Sequence, residues 1–414
     1  MKRRALLLAP VALAACTTRV AGPASDRSAG LIGPQGWAAT AGGTRGGVDA
    51  LREHRLDVHN LGQLQAALAL GDTPKLLRIH GRIDLSAGQG EAHFRDPAHD
   101  LDAYCAAFAP AAWGRRAPAG PLEDARRRSA ARQAAAITLR PPPRTALVGA
   151  TADAGFTNGM LLLDGVHDIV VQGLHFGTVL DHFPGWDPLD GAQGAWNSDY
   201  DTLSLRRSHH VWVDHCSFDS GGLPKPLRLG RPFEQTDGLL DITRMSDLVT
   251  VSWCRFARHD KTMLIGSSDT QTDDIGRLRV TLHHNLFERC NERTPRVRFG
   301  HVHVANNHFV APDATHYGYS IGVGQGAQIV SEANAWDTDP AITPGKLVRA
   351  LKGTQFVDHG SLHNGRPIPA SAWSAFESAT FVPPPLSGLL PAADVAAAVN
   401  AGAGPSRLVH NHFL

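Results

Sequence analysis

The chain has 414 residues, 43% hydrophobic and 19% charged, with a formal net charge of only +1. That composition fits a globular protein with one large core or two ordinary ones and excludes a disordered chain. With 40 basic against 39 acidic residues there is no net basic field of the kind a nucleic-acid binder needs, so any anion is met by local charges.

The N-terminal MKRRALLLAPVALAACTTRV starts basic, continues as an apolar run from Ala5 to Ala15 and ends in small residues. The run is too short to cross a bilayer as a helix and reads as a secretory signal over residues 1–15, followed by a linker over 16–32. Leu13, Ala14, Ala15 and Cys16 resemble a bacterial lipoprotein processing site, with Cys16 carrying the lipid as the sole membrane attachment. Ordinary cleavage with Cys16 incidental is the alternative. Either way the expectation is an exported protein, secreted or held at the outer membrane. Cys105, Cys216, Cys254 and Cys290 then meet an oxidising setting, but they are too few for a disulfide scaffold, and no CxxC pair suggests zinc.

Residues 33–414 read as one domain. NLGQLQAALALG opens with Asn60 and Gln63 as a helix cap and places Leu64 and Leu68 on one face, which predicts a capping helix. KLLRIHGRIDL alternates from Leu77 to Leu85 and reads as the first strand. Residues 92–136 differ: EDARRRSAARQAAA is Ala- and Arg-rich and predicts a helix whose charges form a solvated face.

Six segments then align: IVVQGLHF (169–176), VWVDHCSF (211–218), VTVSWCRF (249–256), VTLHHNLF (280–287), VHVANNHF (302–309) and IVSEANAW (329–336). Each has an apolar residue first and an aromatic eighth, and five have an apolar residue third; Ser331 is the exception. Two apolar residues at spacing two is strand alternation. Irregular spacing with no helical pattern between suits coils of a parallel β-helix, whose loops can vary in length. A β-sandwich would show regular hairpin turn signals, and these are missing. The sixth column, Leu174, Cys216, Cys254, Asn285, Asn307 and Asn334, suggests amide stacking up the coils at about 4.8 Å per step. Cys216 and Cys254 meet in that column, where packing is favoured over a bond. After residue 340, VPPP and DVAAAVNAGAG suggest a tail laid across the solenoid.

NSDYDTLSL holds Asp199 and Asp201, and TDGLLDI holds Asp237 and Asp241. Four carboxylates brought together would repel unless a hard cation sat among them, and oxygen-only ligands favour Ca²⁺. Asp273 and Asp274 read as loop residues. Downstream, HDKTML carries Lys261, and NERTPRVRFG carries Arg293, Arg296 and Arg298 within six positions. By strand parity Arg296 and Arg298 share a face, Arg293 joins them only if Pro295 bends the chain, and Arg296 is free to pair with a nearby carboxylate. His209, His210, His283 and His284 lack metal spacing and read as packing residues, and Trp186, Trp196 and Trp212 read as packing at least as readily as sugar stacking.

WVDHCSF, DGLLDI, VTVSWCRFARHDKTMLIGSSD, VTLHHNLFERCNERTPRVRFGHVHVANNHF and the early GGTRGG resemble, in order, the pectate lyases of polysaccharide lyase family 1, from about residue 33 to 340. The resemblance implies an all-β, single-stranded right-handed parallel β-helix with an N-terminal capping helix and long loops on one side. It implies Ca²⁺ held by Asp201, Asp237 and Asp241, with Asp199 as an additional ligand, Arg293 as the base, and Lys261 and Arg298 binding substrate. The implied partner is polygalacturonate or pectin, cleaved by β-elimination, with the protein acting as a monomer. Crowding of Arg293 by Ca²⁺, Lys261 and Arg298 is expected to favour its neutral form. A pectin lyase would not need the calcium carboxylates, a galacturonan hydrolase would need an acid/base carboxylate pair instead, and a silent polysaccharide-binding solenoid would not need the Lys and Arg set.

Overall fold

The structure is a computed structural model that describes residues 33–405; the expected signal, linker and Cys16 lie outside the described residues. The aligned segments form the spine. Ile169, Val211, Val249, Val280, Val302 and Ile329 are register partners on successive parallel strands of a ten-stranded sheet. The aromatic column falls in a second ten-stranded sheet. There Phe176, Phe218, Phe256, Phe287, Phe309 and Trp336 stack with centroids 4.7 to 5.1 Å apart and planes within 11° of parallel. A third sheet of eight strands closes each coil. Inward apolar residues from all three sheets make one continuous core.

One left-handed residue turns the first sheet into the second in coil after coil. His215, Trp253, His284, Asn306 and Ala333 have φ between 46° and 56°. A side chain there costs about 1–2 kcal/mol, and the residue that follows each turn offsets it. Asn307 Oδ1 accepts from the Asn285 backbone N–H and amide, each at 2.9 Å; Asn334 Oδ1 accepts from the Asn307 N–H at 2.7 Å and its amide at 3.1 Å. Each bond is worth about 1 kcal/mol net, and more is lost when one partner is removed and the other left buried. Above this amide ladder Cys216 N–H donates to Cys254 Sγ at 3.4 Å, and both thiols are free, packed rather than bonded.

Asn60 caps the helix Leu61–Leu68 by accepting from Gln63 N–H, and Leu64 and Leu68 cover the end of the core. KLLRIHGRIDL is not the first strand, however. Arg55–Val58 precedes it, and Gly81, at φ +67°, breaks it into Lys75–Ile79 of the first sheet and Arg82–Asp84 of the second. The solenoid also runs past residue 340. Phe356 pairs with Ile329, His363 pairs with Trp336, and Ser361 Oγ accepts from Asn334 N–H, a seventh copy of the motif. Beyond it the helix Ala392–Gly402 lies across the coils, with Val395 and Val399 against Leu286 and Ala335.

The long excursions leave one corner, between the second and third sheets: residues 85–137, 177–202 and 220–239. The first contains the expected Arg-rich helix, Pro121–Ile137, but not all of its charges face water. Arg126 is half-buried on the buried Glu123, which also accepts from the Tyr104 hydroxyl, while Arg128 and Arg132 pair with Asp96. Tyr104 and Phe108 pack there with Trp186 and Trp196, and Trp212 donates to Ser252 Oγ on the first sheet. Among the described residues no helix is long and apolar enough to cross a membrane.

Candidate active site

The same corner collects the acidic and basic residues, because strands end and begin there. Lys261 closes the strand Arg255–Lys261, in register with Glu292 on the next coil. Arg293 follows Glu292 at φ +62°, and the chain re-enters the third sheet at Arg296–Val297. The bend expected around Pro295 is thus a change of sheet. Asp241 lies inside the strand Leu240–Thr243, while Asp201 and Asp237 lie on the loops that lead into their strands.

Asp201 and Asp241 converge on Gly238. A Cβ on that glycine would stand 2.5 Å from Asp241 Oδ1 and 2.8 Å from Asp201 Oδ1, so the two carboxylates frame a space that only glycine leaves open. Asp201 Oδ1 accepts from Gly238 N–H at 3.0 Å and Asp241 Oδ1 from Leu264 N–H at 2.9 Å. Burial, then the neighbouring Asp237 charge, pushes the Asp201 carboxyl up to about 7. Burial, then Asp201 and Asp237, pushes Asp241 well up, and burial pushes Asp237 up against the opposing pull of Lys261 and Arg293. Among the described residues no three His, Cys, Asp or Glu side chains are gathered tightly enough to coordinate one ion as they stand. The donors nevertheless suit a hard cation: they are all oxygen, two face a shared cradle, and their mutual repulsion is what a divalent ion relieves. Asp199 stays at the exposed rim, its N–H donating to Asp181 Oδ2 at 3.1 Å, and acts on Asp237 from there.

The cations divide into held and free. Arg293 Nε donates to Glu292 at 3.1 Å, and Arg298 Nε to Asp269 at 2.6 Å with Nη1 on the carbonyls of Gly266 and Ser267. The Lys261 side chain has no ion pair or hydrogen bond among the described residues. The chain's own groups do not by themselves neutralise Arg293; the expected neutral form includes the charge of a bound Ca²⁺. Burial would lower its pKa, but Glu292, Asp241 and Asp237 outweigh it and hold the guanidinium more firmly protonated, while the Arg298 charge is engaged by Asp269. Among the described residues Arg296 does not pair with a carboxylate, and its Nε is buried without a partner.

Two supporting residues escaped the sequence analysis. His259, driven down to about 4 by burial, lies between Ser220 Oγ and the carbonyl of Asp237, and so fixes the loop that carries Asp237. Asp181, pushed up to about 6 by burial, accepts from the N–H groups of Phe183 and Asp199. The only signal in the sequence was HDK itself, which puts His259 two residues from Lys261. Asp274 is a buried structural residue, accepting from Met245 N–H at 2.6 Å, and His283 and His284 are buried, with His284 stacked on Trp253.

A family model described as pectate lyase matches residues 122–404. A pectate lyase of Bacillus subtilis (strain 168) is 35% identical over 388 residues, 90% of this chain and 92% of that protein. Pectate lyase E of Dickeya dadantii (strain 3937) is 36% identical over 80% of this chain and 75% of its own. A solved pectate lyase bound to a hexasaccharide superposes with a TM-score of 0.87 at 33% identity, covering 93% of this chain and 100% of its own. The stacked coils, the corner that holds carboxylates and cations together, and these likenesses over most of the sequence lead to one conclusion: the chain belongs to the pectate lyase family.

Proposed function

We propose that this protein is a calcium-dependent pectate lyase that cleaves α-1,4-linked polygalacturonate by β-elimination, releasing 4,5-unsaturated oligogalacturonides. One observation carries this: Asp237 lies in the fields of both Lys261 and Arg293, and Asp241 in those of Asp201 and Arg293, beside the cradle that Asp201 and Asp241 frame at Gly238, so the acidic and cationic groups meet at one corner of the coils. Asp201, Asp237 and Asp241 would hold the ion, with Asp199 at the rim. When bound, the ion offsets the buried carboxylates and draws charge from a substrate carboxylate, acidifying the adjacent C5–H.

The protein's own residues do the rest. Arg293, anchored through Nε on Glu292, acts in its neutral form, losing its extra proton to solvent before it takes the C5 proton; the C5–H electrons form the C4–C5 double bond, the C4–O4 electron pair leaves on O4, and solvent water protonates that oxygen. Lys261 and Arg298 hold the carboxylate and glycosidic oxygens. A unit charge pair at 4 Å is worth about 4 kcal/mol at an effective dielectric near 20, so two or three such contacts account for several powers of ten in rate. Methyl-esterified polymer would offer these cations no carboxylate, which favours pectate over pectin. The leader over residues 1–15 and a lipid on Cys16 would deliver the enzyme to the outside, where its polymer is met.

Incubating the purified protein with polygalacturonate and following ultraviolet absorbance of the unsaturated product tests this. Absorbance should rise with calcium, stop in chelator and resume when calcium is restored. A rise that chelator leaves untouched contradicts the metal role, and no rise on any galacturonan favours a binding solenoid.

A further inference from the structure

The third sheet extends beyond the cleavage corner, and its outward row is cationic. Leu264, Arg296, Gly322 and Arg349 are register partners on successive strands, and Asp241 begins the same row one strand earlier. At about 4.8 Å per strand, Arg296 stands roughly 10 Å and Arg349 roughly 19 Å from Asp241 along the groove. Gly322 opens the row between them: a Cβ there would meet Tyr319 Cε2 at 2.8 Å, Leu351 Cδ1 at 3.0 Å and Arg296 Cγ at 3.3 Å. Into that opening pack the buried Tyr319 ring and the Arg296 stem, with the Arg349 guanidinium 5.9 Å from the ring centre.

The charges do not balance. Arg293 and Arg298 each have a carboxylate, whereas neither the Arg296 nor the Arg349 side chain has an ion pair or a hydrogen bond among the described residues. The Nε of Arg296 is buried and unpartnered besides. Two guanidinium groups on either side of a glycine, one with an orphaned donor, leave an anion to be supplied from outside. A planar bidentate donor suits a carboxylate above all. We propose that Arg296 and Arg349, with Tyr319 between them, form a subsite for the carboxylate of a uronate unit remote from the bond that is cut, so that affinity depends on chain length. This rests on the pectate lyase reading above.

The test is calorimetric binding of a galacturonate trimer and octamer, with calcium, to Arg293→Lys protein as parent and to the same protein carrying Arg296→Gln, Arg349→Gln or Arg349→Lys. The parent should bind the octamer more tightly than the trimer. Each Gln change should lower that ratio about five- to tenfold, and Arg349→Lys should recover part of it, which loss of packing alone would not allow. A length dependence equal in the parent and both Gln variants overturns the subsite, as does failure of the octamer to bind at all. A parent that binds with the expected length dependence, alongside wild-type protein that makes no unsaturated product, overturns the lyase reading and leaves the subsite standing.

Discussion

Arg293→Lys is expected to lower kcat on polygalacturonate by about a thousandfold, with the calcium concentration for half-maximal rate changed less than threefold. The charge survives the substitution, so a residue that only attracts the polymer would show almost no loss. What disappears is the planar pair of nitrogens: Arg293 holds Glu292 through Nε at 3.1 Å and still has nitrogens to turn towards substrate, a division a single ammonium cannot make. General-base and electrostatic contacts of this kind are worth about 10² to 10⁴ in rate. Because Glu292, Asp241 and Asp237 hold Arg293 protonated, the wild-type rate should also climb with pH on the alkaline side, as the neutral fraction of the base grows. Steady-state kinetics across pH and calcium check both expectations.

Asp241→Asn should have two effects of opposite sign. In chelator, it removes one of two buried carboxylates facing the Gly238 cradle, while its amide oxygen can still accept from Leu264 N–H. The thermal midpoint should therefore rise, by about 1–2 °C for each kcal/mol of repulsion relieved. With calcium, the loss of a charged ligand should raise the half-saturating concentration about a hundredfold. A residue needed only for packing would lower stability in both conditions. Thermal melts and calcium titrations of the two proteins separate these cases.

Much of the solenoid was legible because its columns repeat the same chemistry. Apolar first and aromatic eighth positions identified register partners that the structure pairs residue for residue, from Ile169 to Ile329 and from Phe176 to Trp336. The seventh copy was hidden because His363 stands where the others carry an aromatic ring of Phe or Trp type and Ser361 where Asn would extend the ladder. The third sheet was illegible for another reason. Leu264–Ile265 and Arg296–Val297 are two residues each, too short to show a period, so the row from Asp241 to Arg349 had no signature. The charges of the Arg-rich helix read as solvated because their partners come from elsewhere: Tyr104 covers Glu123, and Asp96 reaches Arg128. The carboxylates and Lys261 stand in long motifs that the sequence displays, and the structure brings Asp201 and Asp241 together at Gly238, whereas the field that protonates Arg293 depends on which strands end at one corner, and no linear spacing encodes that.

A crystal of Arg293→Lys protein soaked with calcium and trigalacturonate gives the most direct measurement. The account expects an ion among Asp201, Asp237 and Asp241 that also touches one uronate carboxylate, with Lys261 and Arg298 within hydrogen-bonding reach of the same sugar. An ion bound away from these aspartates, or a sugar that meets the cations on one wall while the ion sits on another, would contradict it.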